Sequence, residues 1–197
     1  RSRLSCAEKL IWIMKKEEIR RRVKAQKSLL TAKERSDAAN DVFRRLERTA
    51  AFLVADNILL YHSLPDELST LEFIDRWHTR KRFFLPRVNG LDLEILPYDR
   101  TRLALGAFHI EEPQGDETCD ISQIELIVVP AVGFDRCGNR VGRGKGYYDR
   151  LLATAKAVKI GVGYDFQLIE EGIEVEPHDV GVDVVITQSH AIRIRRR

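Results

Sequence analysis

Three glycines at every second position, Gly142, Gly144 and Gly146, alternate with cations in the stretch Arg140-Val-Gly-Arg-Gly-Lys-Gly-Tyr-Tyr-Asp149. Glycines bring no side chain to pack, so this spacing calls for a backbone that can adopt φ > 0 and amides that can crowd against a ligand. Arg140, Arg143 and Lys145 place three cations within six residues, and a helix is expected from about Tyr147. Backbone N–H groups and fixed positive charge at a helix N-terminus form a cradle for an anion. Asp149 adds a carboxylate within reach, as a phosphate site holding Mg²⁺ would use. Just upstream, Ile124-Glu-Leu-Ile-Val-Val-Pro130 reads as a buried strand. Strand, glycine-rich loop and helix in that order predict a nucleotide-phosphate site in an α/β protein. The spacing follows neither the Walker A nor the dinucleotide pattern, so on the glycines alone a plain structural turn stays open.

The 197 residues suffice for one domain with a substantial core. Composition is that of a soluble globular protein, and no apolar run is long enough to cross a bilayer. Cys6, Cys119 and Cys137 are too few and too scattered for a disulfide framework or a zinc site, which fits a cytoplasmic location. Cys137, with no histidine near it in sequence, reads as a loop filler. The net charge of +3 hides an asymmetry: residues 1–50 carry fifteen Lys and Arg against seven Asp and Glu, and the remainder has an acidic excess. A basic N-terminal segment suits nucleic acid or a polyanionic small molecule. The tail from Arg193 to Arg197 reads as a solvated end at a sheet edge.

Residues 1–13 precede the only methionine, Met14, and read as an N-terminal extension. A helix is expected from Lys15 to Leu30, with Ile19 and Val23 on a sparse apolar face. The capping box Thr31-Ala-Lys-Glu34 starts a second helix, to about Arg48. Asp56–Tyr61 reads as a strand and His62–Glu67 as the loop leaving its carboxyl end, where ligands bind in open α/β sheets. Ser69-Thr-Leu-Glu72 is a second capping box, with Leu71, Ile74 and Trp77 inward. Lys81–Val88 and Leu91–Leu96 form a hairpin about Asn89-Gly90, and Glu111-Glu-Pro113 belongs to a polar connector. Val158–Gly163 is a further strand. The seven acids between Asp165 and Asp183 read mostly as a solvated face. Lys16 and Arg20, four apart, share a helix face, which by spacing alone is a solvated basic face.

The string Pro130-Ala-Val-Gly-Phe-Asp135 … Gly138-Asn-Arg140-Val-Gly142-Arg-Gly144-Lys-Gly146-Tyr-Tyr-Asp149-Arg150 closely resembles the signature of the 5-formyltetrahydrofolate cyclo-ligase (5,10-methenyltetrahydrofolate synthetase) family. Lys16-Glu-Glu-Ile-Arg20, the Ser28–Arg35 junction and Glu176-Pro-His-Asp179-Val-Gly-Val-Asp183 are similar to the same family, so the resemblance runs from Lys16 to Thr187. It implies a single three-layer-like α/β domain over 14–197, with a mostly parallel central sheet flanked by helices. It implies ATP- and Mg²⁺-dependent cyclisation of 5-formyltetrahydrofolate by a cytoplasmic, monomeric enzyme with small-molecule partners, and neither nucleic acid nor membrane. ATP would be held by Lys16, Arg20, Arg140, Gly142, Arg143, Gly144, Lys145, Gly146, Tyr147 and Tyr148, with Arg143 and Lys145 on the transferring phosphoryl group. Folate would meet Arg20, His62, Glu67, the Arg143–Gly146 loop and Tyr147. Asp149 and Asp179 would hold Mg²⁺. At His62 the family usually has a more apolar side chain, and a lone loop histidine is more often a surface residue. The alternatives are a non-catalytic folate or nucleotide binder of the same fold and, third, an RNA-binding protein using the basic helix and tail, for which an aromatic–basic signature is lacking.

Overall fold

The runs at 56–61, 124–130 and 158–163 are too continuously apolar for a sheet with one wet face, so they call for layers on both sides. The computed structural model describes residues 13–105 and 111–195 and has that arrangement. Helices α1 (Lys16–Ser28), α2 (Ala32–Leu46) and α3 (Ala50–Val54) precede β1 (Asn57–Leu59). Next come α4 (Leu71–Trp77), the hairpin β2 (Arg82–Asn89) and β3 (Asp92–Pro97), and the ribbon β4 (Leu103–Leu105) and β5 (Glu111–Pro113). The second half runs β6 (Leu126–Pro130), β7 (Gly133–Asp135), β8 (Arg140–Val141), α5 (Tyr147–Thr154), β9 (Val158–Val162), β10 (Leu168–Ile169), β11 (Val184–Ile186) and β12 (Ala191–Arg193).

The main sheet has the order β12-β11-β9-β6-β1-β2-β3. Its five inner strands are parallel and both edge strands antiparallel. From β1 the chain moves to β2 on one side, then returns to lay β6 on the other, so the winding reverses between β1 and β6. A ligand crevice forms beyond the carboxyl ends of strands at such a reversal. The two loops leaving those ends are the ones that start at Leu60 and at Ala131, and they carry Glu67 and the glycine-rich stretch.

Alternation along each strand sorts side chains to two faces. Ile58, Phe83, Leu126, Val128, Ile160 and Ile186 pack against α2, α3 and α4 through Val42, Phe43, Phe52 and Phe73. Their neighbours Leu59, Phe84, Ile127, Val129 and Val185 pack on the opposite face with Leu152 of α5. A third cluster joins Ile19 and Val23 of α1 to Val141 and Ile169 of the small sheet β10-β7-β8. Phe134 of β7 links the two sheets, since its ring lies over the bare backbone of Gly161 in β9.

The Thr31–Glu34 capping box forms reciprocally and starts α2. The second expected box does not. Thr70, not Ser69, precedes α4 and makes no side-chain cap; its buried hydroxyl donates to the carbonyl of Tyr61, tying the helix to the end of β1. Leu71 is consequently 47% exposed, while Phe73 and Ile74 face the core. The hairpin turns at Gly90-Leu91, with Asn89 paired to Asp92, one residue later than the Asn-Gly reading. Cys119 is a free thiol and Cys137 is disulfide-bonded, so the loop-filler reading of Cys137 is corrected. Of the acids expected to form a solvated face, Glu170, Glu174 and Glu176 are exposed, but four of the seven pair with cations: Glu170 with Arg136, Glu171 with Arg22, and Glu176 and Asp179 with Lys16. The basic tail begins as the edge strand β12, as expected, and the expected extension lies almost wholly outside the described residues. No helix among the described residues is long and apolar enough to cross a membrane.

A Cβ added at Gly161 would lie 2.3 Å from the Phe134 ring. Gly161→Ala therefore overpacks the junction between the sheets and is expected to cost about 1–3 kcal/mol, or roughly 2–4 °C of Tm per kcal/mol for a chain of this size. An unchanged thermal midpoint would show that Phe134 can move aside.

Candidate functional site

Arg140 stands at the start of the glycine-rich loop with its side chain only 3% exposed. Its guanidinium donates to Asp149 Oδ1 at 2.5 Å and to the Val180 carbonyl at 3.1 Å. Asp149 Oδ1 also accepts the Val180 N–H at 3.1 Å, which sets Asp149 beside the chain neighbour of Asp179. Burial lowers the Arg140 pKa, and the adjacent Asp149 carboxylate opposes that. Arg140 lines the cleft, and two of its five N–H donors brace the loop from behind through Asp149 and Val180.

Between these anchors the loop arches over open space. Gly144 and Gly146 have φ of 96° and 70°, in the left-handed region. Gly146 caps α5 with no side-chain acceptor for the first helical N–H groups. Arg20 reaches across from α1 and donates to the Gly142 carbonyl at 3.0 Å, so the basic helix bears on the loop. Tyr147 lies under the Arg150 guanidinium, 5.4 Å from its ring centre, and Tyr148 packs part-buried against the α5 face of the core.

Arg143 swings toward the β1 loop. It donates to Asp66 at 2.7 Å and to Glu67 Oε1 at 3.0 Å, while Glu67 Oε2 accepts the Leu64 N–H at 3.0 Å. Beneath them Lys27, 6% exposed, donates to Asp66 at 3.2 Å. Burial pulls the Lys27 ammonium pKa down, with Asp66 opposing. Burial alone would raise the Asp66 carboxyl, but Lys27 and Arg143 outweigh it and hold it below the usual carboxylate range. The sequence reading missed Lys27, although a signal was present. Ile19, Val23 and Lys27 follow at four-residue intervals, so a cation continues the apolar stripe and needs a buried partner.

At the other end of the site, Lys16 donates to Glu176 at 2.5 Å and to Asp179 at 2.7 Å. Ligand atoms of Glu176, His178 and Asp179 lie within 4.8 Å of one another. Hard divalent cations prefer oxygen donors, and two carboxylates already gathered round a positive charge fit Mg²⁺; the imidazole fits it less well. Glu176 was not singled out from the sequence, and Asp149 is a neighbour of this cluster, not a member. Lys16, Arg20, Glu67, Arg143, Lys145 and Asp179 all line one cleft of about 1280 Å³. His62 lines it too, its buried Nε2 without a hydrogen-bond partner among the described residues; Glu111 lies 3.2 Å away but outside hydrogen-bonding geometry. The cleft also contains Glu112, which the sequence reading left in a polar connector.

The profile of the 5-formyltetrahydrofolate cyclo-ligase family matches residues 13–188. A 5-formyltetrahydrofolate cyclo-ligase of Escherichia coli K12 is 27% identical over 177 residues, spanning 85% of this chain and 97% of the relative. The mouse protein of the same name is 29% identical over 185 residues, spanning 85% and 91%. The NMR structure of Aquifex aeolicus 5,10-methenyltetrahydrofolate synthetase superposes with a TM-score of 0.84 at 32% identity, covering 92% of this chain and 94% of that one.

The depressed Asp66 carboxyl predicts a pH effect. A carboxylate whose folded pKa lies below its unfolded value of about 3.9 contributes stability above that pH and loses it as the pH falls. Lys27→Met weakens the depression, so the wild type should gain more stability between about pH 3 and pH 7 than the variant does. Urea midpoints at the two pH values measure this, and an equal gain in both proteins would remove Lys27 from the Asp66 pair.

Proposed function

The chain belongs to the 5-formyltetrahydrofolate cyclo-ligase family, and from that premise we propose that it converts 5-formyltetrahydrofolate to 5,10-methenyltetrahydrofolate with ATP and Mg²⁺, releasing ADP and phosphate. A formamide oxygen is both a weak nucleophile and a poor leaving group. In the proposed sequence it attacks the γ-phosphorus of ATP, ADP departs, and the formyl carbon becomes an imino-phosphate. N10 then attacks that carbon, the carbon–oxygen bond breaks, phosphate leaves and N10 loses its proton. Such chemistry asks the protein mainly for positioning and charge stabilisation.

The observation that carries this reading is the gathering of Lys16, Arg20, Arg143 and Lys145 with the glycine amides in one cleft. In the proposal Arg143 and Lys145 stabilise the transferring phosphoryl group, and Lys16 and Arg20 bind the nucleotide phosphates. Gly142, Gly144 and Gly146 let the loop amides close on phosphate oxygens, and Tyr147 and Tyr148 flank the substrates. Glu67 orients Arg143 and lies against the folate near His62, its oxygens largely taken by Arg143 and the Leu64 N–H. Asp179 and the second oxygen of Asp149 would hold Mg²⁺, which when bound would neutralise phosphate charge. The site is charged and concave, and its separate ends suit two different small molecules.

Appearance of methenyl-tetrahydrofolate absorbance only when ATP and Mg²⁺ are both present tests the reaction. Folate binding without turnover or phosphate release would favour the non-catalytic binder. Lys145→Ala should keep the fold and lower kcat by a transition-state loss of roughly 2.7–4 kcal/mol, the size seen for one preorganised donor; near wild-type turnover would remove Lys145 from the phosphoryl site. Asp149→Asn and Asp179→Asn should each raise the Mg²⁺ concentration needed for half-maximal rate. The double variant should lose less than the sum, since residues serving one ion act as a unit. Full additivity, or an unchanged Mg²⁺ requirement in either single variant, would break the shared site.

A further inference from the structure

Glu112, in the short strand β5, is 6% exposed yet lines the cleft. Among the described residues its carboxylate accepts one long hydrogen bond, from the Val88 N–H to Oε1 at 3.3 Å. No Lys or Arg among the described residues forms an ion pair with it. A largely buried carboxylate with few partners is costly, and such groups usually take one from nearby. Here the open side of the carboxylate is the cleft, whose nearby wall is apolar and built from Pro86 and Val88 of β2 and Leu93 of β3. Glu112 therefore stands on the hairpin side of the reversal between β1 and β6, whereas Lys16 and Asp179 come from α1 and the loop before β11.

An apolar wall with a lone buried acceptor fits a flat heterocycle that offers adjacent N–H donors. Adenine offers one amino group beside ring acceptors, which would face the carboxylate's oxygens as like partial charges. A 2-amino-4-oxo pyrimidine ring offers its amino group and N3–H side by side, matched to the two oxygens of a carboxylate in the way a guanidinium is. Glu67 has little capacity left for that edge, because Oε1 is engaged by Arg143 and Oε2 by the Leu64 N–H. We propose that Glu112 is the specificity-determining acceptor for the 2-amino and N3–H edge of the pterin, seated against Pro86, Val88 and Leu93. The inference deepens the folate reading of the cleft and rests on it.

Equilibrium binding tests it independently of turnover. Calorimetric titrations would use wild type and Glu112→Gln with 5-formyltetrahydrofolate, with its 2-desamino analogue and with ATP. The amide turns one acceptor into a donor facing N–H groups, so folate affinity should fall roughly ten- to a hundredfold, while ATP affinity stays within about twofold and reports an intact fold. Wild type should bind the analogue about as weakly as Glu112→Gln binds the natural ligand, and the variant should show little further discrimination between the two. The proposal is overturned if folate affinity is unchanged, if ATP affinity falls in step with it, or if the variant rejects the analogue as strongly as wild type does. Should Glu112→Gln fold poorly, the wild-type comparison decides alone: equal affinity for the natural ligand and its analogue overturns the proposal. A wild type that shows the full discrimination but no ATP-dependent turnover would sink the cyclo-ligase reading and leave Glu112 in place.

Discussion

The ring formed by Arg140, Asp149 and Val180 is the constraint on which the site depends. It ties together the first residue of the glycine-rich stretch, the first turn of α5 and the C-terminal segment that carries Asp179. A guanidinium so deeply buried requires its carboxylate; removing one partner of such a pair costs about 3–5 kcal/mol because the other charge is stranded. Closing the ends in this way fixes the loop between them as a hoop. Within it Gly144 and Gly146 take left-handed φ values that other residues rarely adopt. The strong interaction lies behind the site, and the weakly populated backbone geometry lies in front of it.

A second dependence follows from charge. The basic N-terminal segment and the acidic C-terminal stretch appear unrelated when read along the chain, but α1 packs directly against that stretch. Lys16 and Arg22 meet Glu176, Asp179 and Glu171, while Ile19 and Val23 fill the cluster with Val141 and Ile169. Apolar burial sets where the helix sits, and the ion pairs set its rotation about that seat. Part of the charge asymmetry is thereby met within the molecule.

Much of this was legible in the sequence, for identifiable reasons. The parallel strands announce themselves through continuous apolar runs, and the Thr31–Glu34 box works because both of its halves are local. The glycine-rich loop could be read because alternate glycines have few other uses. What failed was non-local. Ser69 matched a capping pattern, yet Thr70 had a better partner in the carbonyl of Tyr61, nine residues back at the end of β1. Arg140 looks like one cation among three until Val180, forty residues on, supplies its carbonyl. Glu170, Glu171 and Asp179 resemble a wet face because their cationic partners lie 34, 149 and 163 residues away. Glu112 gives no sign of burial in a segment rich in acids, and only the packing of the β4–β5 ribbon beside β2 reveals it.

The cleft carries its own counter-charges. Arg143 is held by Asp66 and Glu67, Lys16 by Glu176 and Asp179, and Lys27 supports Asp66 from below. Long cationic side chains are thus ordered before any ligand arrives, which spares part of the entropy that positioning them would otherwise cost. The same pairs impose a threshold, since an incoming anion must replace carboxylates already in contact. A singly charged anion offers no advantage over them, whereas a polyphosphate can engage several cations at once and so outcompete the resident partners. Arg143 and Glu67 add a further link, because the cation proposed for the phosphoryl group is held by the carboxylate proposed to lie against the folate.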